Sequence, residues 1–95
     1  MIIDLQYKYS ELTGKIIKAA MEVHKILGNG FQEVVYQRAL AVELSEMGIS
    51  FVREQEMPLI YKNVDVGTRR VDFFVEGKIM VELKALVCLE DVYLA

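Results

Sequence analysis

Little in this chain interrupts or cross-links it. Among 95 residues there is one proline (Pro58), one cysteine (Cys88), one histidine (His24) and no tryptophan. A lone cysteine cannot close an internal disulfide, so no covalent staple is available to the fold. No repeat, low-complexity tract or linker composition is present, and the length suits one domain, residues 1–95. Long apolar runs are missing as well. The longest stretch without an ionisable residue, Ile26–Gln32, is seven residues, against about 18–20 for a membrane span. Met1-Ile2-Ile3-Asp4 offers neither the basic segment nor the apolar run of a secretory signal. The expected compartment is therefore the cytoplasm, with no membrane partner. Basic charge is not in excess either: 11 Lys plus Arg against 14 Asp plus Glu give a formal net charge of −3. That argues against coating nucleic acid indiscriminately, which needs a basic footprint, but leaves room for a local basic patch.

Apolar side chains are what the sequence has in quantity, at 54% of residues. Disorder is excluded, since disordered chains are apolar-poor and charge-rich. A domain of this size buries roughly two-thirds of its unfolded surface. The core is thin, and some of the apolar excess is expected to lie under another subunit.

The spacing of Leu12, Ile16, Ala19, Val23 and Ile26 predicts a helix over 10–27, with Ser10 as N-cap and Lys15, Lys18, Glu22 and Lys25 on its polar face. It should stop at Gly28-Asn29-Gly30, residues that tolerate positive φ. A second helix over 32–47 carries Val35, Tyr36, Ala39, Leu40, Leu44 and Met47, with Gly48 as its stop. Short strands are expected at 49–54, at 57–62 beside Pro58, at 70–75 and at 78–85. The tail 86–95 fits the start of a third helix.

The last two strands form the clearest hairpin. Centring it on Gly77, with Glu76-Gly77-Lys78 as the loop, sets Val75 opposite Ile79, Phe73 opposite Val81 and Val71 opposite Leu83, all apolar and all on one face. The other face pairs Arg70 with Lys84, Asp72 with Glu82 and Phe74 with Met80. A two-residue loop would mix the faces, because a one-residue slip turns every side chain over. This register sets two carboxylates about 4.5–5.5 Å apart at Cβ, an arrangement that is destabilising unless compensated. Either both reach solvent, or a cation sits between them. Lys84 lies two residues from Glu82 on the same face. Two carboxylates and a lysine suit a hard divalent ion with a bound water and a phosphoryl group. A solvated, salt-paired face is the plainer alternative. Phe74 and Met80 argue for partial cover of that face, expected from the first helices, which would put the charges in a cleft.

Asp72, then Glu82-Leu83-Lys84, resembles the D…(D/E)-x-K signature of the PD-(D/E)XK nuclease superfamily. Gly30-Phe31-Gln32-Glu33-Val34-Val35-Tyr36 resembles the G-x-x-E-x-x-Y pattern of the GxxExxY protein family, and Val23-His24-Lys25-Ile26-Leu27-Gly28 its V-H-x-x-L-G. The resemblance spans nearly the whole chain. It implies an α/β, restriction-endonuclease-like core, with two N-terminal helices packed on a mixed β-sheet. It implies a Mg²⁺- or Mn²⁺-dependent nuclease acting on DNA, the alternative being an inactive nuclease-fold binding or oligomerisation module. Asp72 and Glu82 would bind metal, with the Leu83 carbonyl as an extra ligand and His24 as a possible one. Lys84 would match the catalytic lysine and Glu33 the helix glutamate facing the site. Gly30 and Tyr36 would support it. Arg69 and Arg70 would contact phosphate or stand as an exposed turn pair. The superfamily core continues past the lysine strand into a helix and a strand, so the resemblance implies a domain incomplete at its C-terminus. The strand 78–85 would then keep an open apolar edge, and open edges recruit other chains. A homodimer is the expected outcome.

Overall fold

The computed structural model describes residues 2–5 and 11–84. Its elements run β1 (Ile2–Leu5), α1 (Glu11–Leu27), α2 (Glu33–Glu46), β2 (Phe51–Tyr61), β3 (Val64–Val75) and β4 (Ile79–Lys84). The expected Ser10 cap, Cys88 and the helix start at 86–95 lie outside the described residues.

Both helices follow the apolar spacing. α1 buries Thr13, Ile16, Ala19, Ala20 and Val23, and its last turn carries His24 and Lys25, which suits the negative end of the helix dipole. It ends where the Gly28 N–H bonds the His24 carbonyl at 2.8 Å, with Gly28 at φ +70°, a conformation strained for any side chain. α2 buries Tyr36, Leu40 and Leu44, one residue per turn. The Ile49 N–H then returns to the Leu44 carbonyl at 3.0 Å, with Gly48 at φ +73° making the reversal.

The sheet has four strands in the order β1-β4-β3-β2. All three pairings are antiparallel, where a mixed sheet was expected. β2 is one strand of 11 residues, not two short ones, and β3 begins at Val64, six residues earlier than the apolar pattern suggested. Lys62 (φ +48°) and Asn63 (φ +66°) join them in a two-residue turn of the type that matches strand twist.

β3 meets β4 in the expected register, with Val75↔Ile79, Phe74↔Met80 and Phe73↔Val81. Val71, Phe73, Val75, Ile79, Val81 and Leu83 are all buried. All but Val71 form one cluster with Ile16, Ala19, Ala20, Val23, Tyr36, Leu40 and Leu44. Burying a side chain the size of Phe73 contributes about 1.5–3 kcal/mol, so the fully apolar face wins the helices. This corrects the expectation that α1 and α2 roof the charged face. They cover the opposite one, while Phe74 and Met80 remain half-buried on the charged side.

The open edge expected for the 78–85 strand is a second correction. β1 pairs along it, from Ile2↔Lys84 to Leu5↔Val81, so the argument for a homodimer through that edge loses its premise. The outer strands are β1 and β2; the longer of them, β2, carries Pro58, which has no N–H to offer, and a positive φ of 55° at Glu54. Both features blunt an edge against pairing with another chain.

Candidate functional site

The sheet forks where the acidic residues stand. The β3–β4 pairing reaches Phe73↔Val81. Beyond that point β4 continues alongside β1 through Glu82, Leu83 and Lys84, while β3 continues alongside β2 through Val71, Arg70 and Arg69. Asp72 sits in the fork. Its Oδ2 accepts the Leu83 N–H at 2.7 Å, so a side chain receives an amide that a regular ladder would give to a backbone carbonyl. This places the Asp72 carboxylate one residue from Glu82.

The Glu82 side chain is 16% exposed and is met by two cations. Arg69 Nη2 donates to Glu82 Oε1, and Lys84 Nζ lies 3.9 Å from Oε2. The repulsion between facing carboxylates is thus compensated by the backbone amide at Asp72 and by Arg69 and Lys84 at Glu82. Asp72, Glu82, Leu83 and Lys84 are therefore brought together. So is Arg69, in a role that sequence reasoning missed: it answers the partly buried Glu82 and is not an exposed turn residue. The only sequence signal for it was an arginine three residues before Asp72. Arg70 differs from its neighbour. It lies 4.0 Å from Glu54, both side chains being about 60% exposed, and a pair that wet contributes little.

Glu33 is exposed in the first turn of α2. One turn on, Gln37 Oε1 accepts a 3.0 Å hydrogen bond from Arg53 Nη2, and Arg53 lies over the Phe73 ring, 5.5 Å from its centroid. The far end of α2 meets Ile49, and the helix packs on the face of the sheet opposite Asp72 and Glu82, so Glu33 begins an element on the other side from those carboxylates. Tyr36 is buried and positions the loop before α2. Its hydroxyl donates to the Gly28 carbonyl at 2.6 Å and accepts the Phe31 N–H at 3.2 Å. Gly30 lies in that loop at φ +104°. His24 is exposed on α1. Among the described residues no group of three His, Cys, Asp or Glu side chains is close enough to share a metal ion, so His24 does not join the two carboxylates as a third such ligand.

The sequence pattern of the PD-(D/E)XK nuclease superfamily matches residues 10–95, nearly the whole chain. The chain belongs to that superfamily. No curated protein and no solved structure matches it. PD-(D/E)XK nucleases generally use divalent metals, and membership implies contact with nucleic acid. No helix among the described residues is long and apolar enough to cross a membrane. The acids and lysine singled out by the sequence, Asp72, Glu82 and Lys84, stand together at this fork. Its donors fit a hard divalent ion, because two carboxylates and a backbone carbonyl are oxygen ligands. The Arg69 guanidinium would have to leave Glu82 Oε1 for an ion to take both oxygens of that carboxylate.

Proposed function

We propose that this PD-(D/E)XK chain is a Mg²⁺- or Mn²⁺-dependent nuclease that hydrolyses phosphodiester bonds of DNA, and that it lies within the GxxExxY family on the strength of Gly30, Glu33 and Tyr36. The observation that carries the reading is the fork itself. Asp72 is fixed on the Leu83 amide, and Glu82 and Lys84 stand beside it on the strand that diverges. Asp72, Glu82 and the Leu83 carbonyl would hold the ion. Such an ion acidifies a water and neutralises charge on a phosphoryl group. Lys84, 58% exposed, is free to swing from Glu82 to the attacking water, and as a cation it orients that water without ligating the metal. Arg69 and Arg70 supply the local positive charge that the acidic chain otherwise lacks.

The Arg69–Glu82 pair also favours a second reading, a nuclease-fold binding module without turnover, because a carboxylate neutralised by two cations needs no metal. Calorimetric titration with Mn²⁺ and cleavage of plasmid DNA separate the two. Asp72→Asn and Glu82→Gln should abolish ion binding and cleavage. Lys84→Ala should keep ion binding and lose cleavage by about 10²-fold or more, the scale of a positioned proton-transfer group. Unchanged ion affinity in both carboxylate variants would remove the nuclease reading.

A further inference from the structure

We infer that Arg69 is a hand-over residue: it neutralises Glu82 in the resting site, releases that carboxylate to a divalent ion, and passes its guanidinium to a phosphate oxygen of the nucleic acid. The inference rests on the ion-binding role proposed for Asp72 and Glu82, and adds a competitor and a destination to it.

Three observations carry it. First, Glu82 is the least exposed member of its ion pairs, at 16% against 35% for the Arg69 side chain. A carboxylate so far removed from water is costly to leave without a counter-charge. Second, its two oxygens are not equally served. Arg69 hydrogen-bonds Oε1, whereas Lys84 stands 3.9 Å from Oε2, beyond hydrogen-bond distance. Lys84 cannot replace Arg69 without moving, so a divalent ion that takes both oxygens of Glu82 competes chiefly with the guanidinium. Third, Arg69 is anchored on β3, opposite Met57 of β2, on the side of the fork facing β4. A guanidinium released there stays beside the carboxylates and keeps its planar array of donors, which matches phosphate oxygens. Arg70 shares none of this, being paired loosely with exposed Glu54.

The exchange is balanced in charge. Glu82 is neutralised by the guanidinium before it and by the metal cation after it, and the displaced guanidinium meets the phosphodiester anion. Ion binding and nucleic-acid binding are thereby coupled through one side chain, each favouring the other, as linkage requires.

Two measurements on the full chain test this. In the first, Mn²⁺ alone is titrated and followed by electron paramagnetic resonance. Arg69→Gln should bind Mn²⁺ about tenfold tighter than the unaltered chain, the scale of one charge-assisted hydrogen bond, and Arg69→Lys should fall between them. A merely structural arginine predicts the opposite, since its loss would loosen the site. Equal or weaker binding by Arg69→Gln overturns the hand-over while leaving the metal site standing. Absence of Mn²⁺ binding in both proteins overturns the metal site and the hand-over with it. In the second, binding of a short DNA duplex in EDTA is followed by fluorescence anisotropy. Glu82→Gln frees the guanidinium and should raise affinity about tenfold. The double variant Arg69→Gln/Glu82→Gln should lose that gain. If the double variant keeps it, the gain comes from removing a negative charge, and transfer to phosphate is refuted.

Discussion

Exposed as it is, Glu76 holds its proton less tightly than an ordinary glutamate. Its Oε2 accepts both the Ser50 hydroxyl at 2.7 Å and the Ser50 N–H at 2.6 Å. The hydroxyl bond is the larger cause of a pKa held below the usual 4.5, the backbone bond comes next, and nearby Lys78 helps slightly against a small opposing desolvation. The Glu76 N–H returns to the Ser50 carbonyl at 3.0 Å, so the two residues clamp the start of β2 to the end of β3. Because the folded-state pKa is depressed, the clamp's ionic contribution is complete above about 4.5 and is lost as pH falls through the lower folded value. Ser50→Ala should move the Glu76 pKa upward toward 4.5, only part of the way, because the backbone N–H at position 50 remains. Carboxyl-carbon NMR titration reads this directly, and an unmoved Glu76 would deny the hydroxyl its leading role.

Among the elements, the β2–β3 ribbon was least legible in the sequence, for reasons that can be named. Glycine and proline served there as punctuation. Pro58 split one long strand into two, and Gly67 hid the first half of β3. The actual turn uses neither residue: Lys62 and Asn63 adopt positive φ themselves. Asparagine tolerates that region and lysine less so. Replacing Lys62-Asn63 with Asn-Gly should therefore stabilise the protein by about 0.5 kcal/mol, and Asn63→Val should destabilise it by about 1–2 kcal/mol. Urea denaturation measures both, and equal midpoints for the two variants would contradict the turn assignment. The helices were legible almost to the residue, because Ile16, Ala19 and Val23, and likewise Tyr36, Leu40 and Leu44, recur at the period of one face. The β3–β4 register was legible because its apolar parity admits one solution. The face that α1 and α2 would choose was not, since half-buried Phe74 and Met80 mimic a core. Nor was the partner of Arg69, which depends on where two strands stop pairing.

Across the whole molecule, stability concentrates on the single layer between sheet and helices. Phe73 is its hub, fully buried, with Phe51 edge-on at 5.4 Å and Arg53 over its ring. Phe73→Ala should cost about 3–5 kcal/mol, a large share of the total available to a domain of this length. A urea midpoint close to that of the unaltered chain would show that the layer tolerates the cavity. The carboxylates at positions 72 and 82 lie on the other side of this sheet, so disrupting the layer should disturb the fork only through the strands that carry it. The place of β1 has a further consequence, in the order of assembly. Helices α1 and α2 and the β2–β3–β4 meander form from neighbours in sequence, whereas Ile2↔Lys84 and Leu5↔Val81 join residues at opposite ends of the described chain. Closing so long a loop has a high entropic cost and is rewarded by one short strand. The edge that β1 needs exists only once β4 has paired with β3. The first strand in sequence is therefore expected to dock last, and the half of the fork carrying Glu82 and Lys84 to be the last part of the site to gain a neighbour on its far side, which hydrogen-exchange pulse labelling during refolding would read as late protection of the β1 amides.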